Sequence, residues 1–333
     1  MKTTQDHIAV IGDGGWGTTL AVHLSKKGFP VTLWGAFPDY VRRIAKTRNN
    51  VKFLPGITIP KRVTITSDLQ NALARSNSIV LATPSEHLAK VLAQIKKCDH
   101  AHKDFLSVVK GIDTSRLIRM SSLVHAVLGN VPLAVLSGPT IAREVALGIP
   151  STAVIASHDP ALAKKMQKIF NSQSFRIYTN SDMIGVELGG SLKNIIAIAC
   201  GVCDGLGFGA NTKSAILSRG LAEMARLGSA LGAHQHTFFG LSGLGDLATT
   251  CFSPQSRNRQ VGEALGRGKT IAQVLASTEM IAEGVPTVKA VYRLSRKHGV
   301  SMPITTEVFR IIYQNKDPRD AVKDLMARKL KAE

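Results

Sequence analysis

A doubly wound, mainly parallel α/β sheet followed by an all-α domain is the architecture predicted for this chain of 333 residues. Three observations predict it. Short β-rich runs alternate with helix-patterned segments over the first 180 residues, which is the signature of consecutive βαβ units. The glycine-rich stretch "GDGGWG" stands between the first strand pattern and the first helix pattern. Beyond Asn180 the β-rich runs stop and helical spacing continues alone.

The first element, Ile8 to Ile11, is a continuous apolar run of strand length, followed by a helix pattern that closes near Gly28. Gly12, Gly14 and Gly17 between them fit the spacing G-x-G-x-x-G. In such a turn the first glycine allows the tight bend and the second lets backbone approach a pyrophosphate. The third lets helix pack closely on strand, and the helix N-terminus faces the anion. "VTLWG", Val31 to Gly35, completes the unit, so this part reads as Rossmann-type. Further strands are expected at "VTITS" (63–67), "SIVLATP" (78–84), "FLSVVKG" (105–111), "LAVLSGPT" (133–140) and "TAVIAS" (152–157). Residues 1–180 are therefore expected to form a dinucleotide-binding domain, with the boundary between Tyr178 and Asp182. Ligands of doubly wound sheets lie beyond the carboxyl ends of strands. That singles out Thr83-Pro84, Lys110-Gly111 and Gly138-Pro139-Thr140. An acid that would hold an NAD ribose usually ends the second strand; here Trp34, Gly35 and Ala36 stand there, with Asp39 arriving late. Arg42 and Arg43 follow and are placed for a 2′-phosphate, so the sequence leans to NADP(H) or dual use.

Composition bounds the rest. Hydrophobic residues make up 44% and charged residues 20%, as in globular enzymes. The formal net charge is +19, with 23 basic against 10 acidic residues up to Asn180 and 19 against 13 after it. The basic residues are spread along the chain and aromatics are only 5%, which argues against nucleic acid and for small anionic ligands. Cys98, Cys200, Cys203 and Cys251 are too scattered for a disulfide framework. "CGVC" lacks a second cysteine pair, and the histidines of "HAH" (100–102) and "HQH" (234–236) read as solvated loops, so no metal site is expected. With no signal-like N-terminus and no uncharged run of membrane length, the expected compartment is the cytoplasm.

Residues 181–333 are expected to form a helical domain that carries the chemistry, with substrate in a cleft beside the first. In "IGVELGGSLKNIIAIACG", Lys193 and Asn194 interrupt an apolar run. A lysine in such surroundings needs a counter-charge, and its helical neighbours Gly189, Gly190, Ile196 and Ala197 offer none. Two polar islands could supply it. The glycine-rich loop of "GLSGLGDLATTC" delivers Asp246, and "SPQSRNRQVGEAL" opens a helix with Ser256, Arg257 and Asn258. A hydroxyl cap, free backbone N–H groups and a guanidinium together suit a phosphate.

Taken in order, "IGDGGWGTTLA", "VVKGI", "SGPT", "VELGGSLKNIIAIACG", "GLGDL" and "SRNRQVG" resemble the bacterial-type NAD(P)-dependent glycerol-3-phosphate dehydrogenases over nearly the whole length. The resemblance implies reversible reduction of dihydroxyacetone phosphate to sn-glycerol 3-phosphate, for glycerophospholipid synthesis, with NADP(H) or NAD(H). It implies Lys193 as general base, and a substrate site of Lys110, Gly138, Thr140, Lys193, Asp246, Ser256, Arg257 and Asn258. Cofactor contacts are implied at Gly15, Trp16, Lys110, Ala142, Arg257, Ile281 and Glu283, beside the fingerprint Gly12, Gly14 and Gly17. A homodimer is implied on the same basis. Ala36 departs from the histidine or arginine frequent there in the family. The alternative is another two-domain dehydrogenase, of the 3-hydroxyacid or 6-phosphogluconate type.

Overall fold

The computed structural model describes residues 6–277 and 282–330. Its Cα framework divides into two compact units, residues 1–110 with 119–186, and residues 111–118 with 187–333.

The first unit alternates strand and helix: β1 (Ile8–Ile11), α1 (Gly15–Lys26), β2 (Val31–Trp34), α2 (Pro38–Thr47), β3 (Val63–Thr66), α3 (Leu69–Ala74), β4 (Ser78–Leu81), α4 (Ser85–Ile95) and β5 (Asp104–Ser107). Two short strands, β6 (Ile112–Asp113) and β7 (Ile118–Arg119), precede α5 (Met120–Leu128), β8 (Leu133–Ser137), α6 (Ala142–Leu147), β9 (Ser151–Ala156), α7 (Pro160–Phe170) and β10 (Phe175–Asn180). Eight strands form one sheet in the order β10-β9-β8-β5-β4-β1-β2-β3. The crossover reverses at β1 and β4, which pair in parallel from Ile8 with Ser78 to Ile11 with Leu81. This reversal is the switch point of a doubly wound sheet. Strand β9 runs antiparallel to β8, and β10 pairs with β9 in parallel.

The central strands β1, β2 and β4 are buried along their whole length, as parallel strands covered on both faces must be. Ile8, Val10, Leu33, Val80, Leu106 and Leu136 anchor that core, each contributing roughly 1.5–3 kcal/mol through burial. Helix starts follow local chemistry: Asp68 caps α3 through Asn71 N and Asp159 caps α7 through Ala161 N, ahead of Pro160. The strands stop earlier than their sequence patterns, at Leu81, Ser107 and Ser137. Thr83, Lys110 and Gly138 therefore lie in the turns just beyond carboxyl ends.

The chain enters the second unit along α8 (Met183–Gly205). By length and composition this helix could span a membrane, but its most apolar stretch is wholly buried inside the protein. Helices α9 (Ala210–Ala230), α10 (Asp246–Phe252), α11 (Arg257–Gly266), α12 (Ile271–Ala276), α13 (Gly284–Lys297), α14 (Pro303–Tyr313) and α15 (Pro318–Met326) follow. Glycines set the closest approach. A Cβ on Gly201 would stand 2.0 Å from Arg259 O, and one on Gly262 2.0 Å from Ile198 O. Only hydrogen at these positions lets α8 and α11 touch backbone to backbone. Residues 234–236, expected as a solvated loop, are exposed but open a 3₁₀ turn, Gln235–Phe239.

Candidate active site

In the first unit the fingerprint turn has the geometry a dinucleotide needs. Gly12 has φ +125°, and a Cβ there would meet Ala82 O at 2.6 Å. A Cβ on Gly17 would stand 1.9 Å from Gly12 O, so the helix closes on the turn only without a side chain. Gly14 N-caps α1, and its Cβ position has nothing within 4 Å. That open side, beside the N–H groups of the first helical turn, fits a pyrophosphate. Gly15 packs at 2.6 Å against Phe53 O and within 3.9 Å of the Ala142 Cβ. Ala142 is tied to α1 by Thr19, whose hydroxyl donates to Ala142 O at 2.9 Å. Trp16 meets Phe175 edge-on at 6.3 Å, and its Nε1 is buried with no partner among the described residues.

Beyond β5 and β8, three residues singled out by the carboxyl-end rule converge. Lys110 Nζ donates to Gly138 O at 3.2 Å, and Thr140 Oγ1 donates to the same oxygen at 3.1 Å. Gly138 has φ +144°, and a Cβ there would lie 2.9 Å from Ala153 Cα. Glycine thus aims this carbonyl at Lys110.

In the second unit Lys193 is 7% exposed and Asp246 2% exposed. Lys193 Nζ donates to Asp246 Oδ1 at 2.6 Å and to Thr250 Oγ1 at 2.6 Å. The Thr250 hydroxyl passes its own proton to Asp246 O at 2.6 Å, which leaves its lone pair for the lysine. Ammonium, carboxylate and hydroxyl form one buried unit. Thr250 was not among the residues singled out from the sequence. It lies four residues after Asp246 on the same face of α10, a spacing that exposes it once the segment is known to be helical.

The helical state of that segment corrects the sequence expectation. "GLSGLGDLATTC" is not a loop: Leu241–Gly245 forms a π-helical turn that runs straight into α10. Its glycines serve packing. A Cβ on Gly243 would stand 2.0 Å from Phe238 O.

The second polar island also takes shape. Ser256 caps α11, accepting from Arg259 N at 3.2 Å, and Arg257 and Asn258 fill the first two helical positions. Buried Asn258 bridges two elements: its Nδ2 donates to Asn194 Oδ1 at 2.9 Å, and Gly284 N donates to its Oδ1 at 2.9 Å. Arg257 is an exposed residue. Even so, desolvation by the protein around its guanidinium lowers its pKa from the usual arginine value, while Glu283 pulls the other way. Glu283 immediately precedes α13. Ile281 lies outside the described residues.

Two family models match the chain, the NAD-dependent glycerol-3-phosphate dehydrogenase N-terminus over residues 7–163 and the C-terminus over residues 182–323. A protein of Syntrophotalea carbinolica named glycerol-3-phosphate dehydrogenase (NAD(P)+) is 48% identical over 332 residues, covering 98% of this chain and 99% of its own. One of the same name from Geobacter sulfurreducens is 46% identical, with coverage of 98% and 99%. The crystal structure of glycerol-3-phosphate dehydrogenase from Coxiella burnetii superposes with a TM-score of 0.95 at 38% identity, covering 97% of this chain and 99% of that one.

Proposed function

The chain belongs to the NAD-dependent glycerol-3-phosphate dehydrogenase family, and from that premise we propose how its residues divide the work of interconverting dihydroxyacetone phosphate and sn-glycerol 3-phosphate. The observation that carries the reading is the buried contact of Lys193 with Asp246 and Thr250. A 3-hydroxyacid or 6-phosphogluconate dehydrogenase, the alternative from the sequence, is not favoured by relatives of these names.

The nicotinamide cofactor, when bound, supplies or accepts the hydride at C2 of the substrate. Reduction places negative charge on the C2 oxygen, and the Lys193 ammonium stabilises that charge and donates its proton. In the oxidative direction the neutral amine removes the proton from the C2 hydroxyl. Asp246 favours the charged lysine and Thr250 fixes the direction of its Nζ. The N-terminus of α11, with Ser256, Arg257 and Asn258, receives the phosphate. Asn258 is held for that task by Asn194 and Gly284 N. Lys110, Thr140 and Gly138 complete the substrate contacts. Gly12, Gly14, Gly15, Trp16, Gly17 and Ala142 hold the dinucleotide, joined by Lys110, Arg257, Glu283 and Ile281.

The wider setting is part of the same proposal. Four cysteines remain thiols, Cys200, Cys203 and Cys251 among them buried, which supports a reducing cytoplasm. The product carries the glycerol backbone of phospholipids, and phospholipid synthesis is its proposed use. The homodimer rests on the family resemblance, and sedimentation checks it.

The deciding measurement is the absorbance of reduced cofactor on addition of dihydroxyacetone phosphate. Turnover is expected with at least one of NADH and NADPH, and with Lys193→Ala a fall in kcat of about 10²–10⁴. Full activity of that variant would remove Lys193 from its role.

A further inference from the structure

Asp13 stands inside the fingerprint, between Gly12 and Gly14, at a position where the G-x-G-x-x-G pattern demands nothing of its side chain. Its carboxylate turns toward the end of β2. A Cβ built on Gly35 would meet Asp13 Oδ2 at 2.3 Å and Val41 Cγ2 at 2.6 Å. The missing side chain of Gly35 is therefore what admits the Asp13 carboxylate to this place. Oδ2 is buried and has no hydrogen-bond partner among the described residues. Burial raises the pKa of the Asp13 carboxyl, partly opposed by its own backbone N–H.

A buried acceptor left without a donor costs about 1–3 kcal/mol, and more when charged. The residue as a whole is only half-buried, and the next residue of the turn, Gly14, has nothing within 4 Å of its Cβ position. In doubly wound sheets the end of β2 is where an acid holds the ribose 2′-hydroxyl of NAD. Here β2 ends in Trp34, Gly35 and Ala36 with no acid, and Asp13 brings a carboxylate to that position from the neighbouring turn. Of the two cations that the sequence offered for a 2′-phosphate, Arg42 is offset by its pairing with Asp39 on the exposed face of α2.

We propose that Asp13 is the ribose-reading residue of this chain, accepting a hydrogen bond from the adenosine 2′-hydroxyl and thereby selecting NAD(H) over NADP(H). A 2′-phosphate at the same place would set like charges together beside a partly buried carboxylate. The inference reverses the lean to NADP(H) that Arg42 and Arg43 gave the bare sequence.

The test is the equilibrium binding of NADH and of NADPH to the full chain at one fixed salt concentration, read by calorimetry without substrate. The wild type is expected to bind NADH at least about tenfold more tightly than NADPH. Asp13→Asn keeps the shape, removes the charge and is expected to tighten NADPH about tenfold while changing NADH far less. Asp13→Ala, without the acceptor, is expected to weaken NADH. Equal or tighter binding of NADPH by the wild type overturns the proposal, and that ratio decides it even if a variant fails to fold. An unchanged ratio in a folded Asp13→Asn also overturns it. If the wild type binds neither nucleotide, the dinucleotide reading of the fingerprint falls first and the selectivity falls with it.

Discussion

A Cβ on Gly189 would stand 2.6 Å from the carbonyl oxygen of Ser242, so α8 and the π-helical turn before α10 meet through bare backbone. The contact lies one turn before Lys193 on α8 and one residue before Gly243 in the turn. It is how an apolar helix acquires a counter-ion: the turn presses against Gly189, and α10 then presents Asp246 to the lysine.

Gly189→Ala is expected to push the turn outward. The cost should be about 1–3 kcal/mol of stability, as for other overpacked sites, and kcat should fall further than stability alone explains. Urea unfolding beside steady-state kinetics on the same preparation checks it; unchanged kcat would show that the contact does not position Asp246.

Thr250→Val removes the hydroxyl that accepts from Lys193 at 2.6 Å while keeping the volume. Loss of one hydrogen bond to a charged donor is worth about 1.5–3 kcal/mol, so kcat should drop about 10- to 150-fold. Asp246→Asn should be harsher, since breaking a buried ion pair costs about 3–5 kcal/mol. Comparison of the two variants at one pH tests the ranking.

Glu223 reaches from α9 to the start of α14, where its carboxylate accepts from Ile304 N at 2.6 Å, Thr305 N at 3.1 Å and Thr305 Oγ1 at 3.1 Å. It satisfies helix-terminal donors that no local cap serves. Burial raises its pKa, against these hydrogen bonds and Arg226. A carboxyl raised on folding stabilises most below its unfolded pKa of about 4.3, and that contribution is lost as pH rises through the folded value. The advantage of the wild type over Glu223→Gln in urea unfolding should therefore shrink as pH rises from about 4.

His23 is buried, and its Nε2 lies 2.7 Å from Phe170 O. Burial lowers its pKa, opposed by that hydrogen bond and assisted by Lys27 and Lys26. A histidine depressed on folding contributes stability above its unfolded pKa of about 6.5 and loses it as pH falls toward the folded value. Between about pH 7 and pH 5 the wild type should lose more stability than His23→Gln; parallel slopes would contradict this.

Much of the sheet was legible because strands such as β1 and β4, buried on both faces, read as unbroken apolar runs. Strand β10 was not. Its Arg176 and Tyr178 are exposed and alternate with buried Phe175 and Ile177, the pattern of a half-buried edge strand, whereas the strands singled out were mostly continuous apolar runs. The need of Lys193 for a partner was legible from its apolar surroundings, and Asp246 was the acid on offer. The helix bearing Asp246 was not, because three glycines in a row of eight residues signal a loop when read locally. Gly243 instead packs its backbone on Phe238, and the turn meets Gly189 of α8. Asp13 was passed over for a related reason, since only the fold sets it beside Gly35.

Residues 111–118 group with the helical unit although both flanks belong to the other. Ser191 Oγ on α8 donates to Gly111 O at 3.1 Å. Genetic exchange between relatives must respect this threading. A nucleotide-binding module cannot be transplanted with one splice at residue 186. Three junctions are needed, at 110/111, 118/119 and 186/187, or eight residues of foreign parentage end up in the helical unit beside α8.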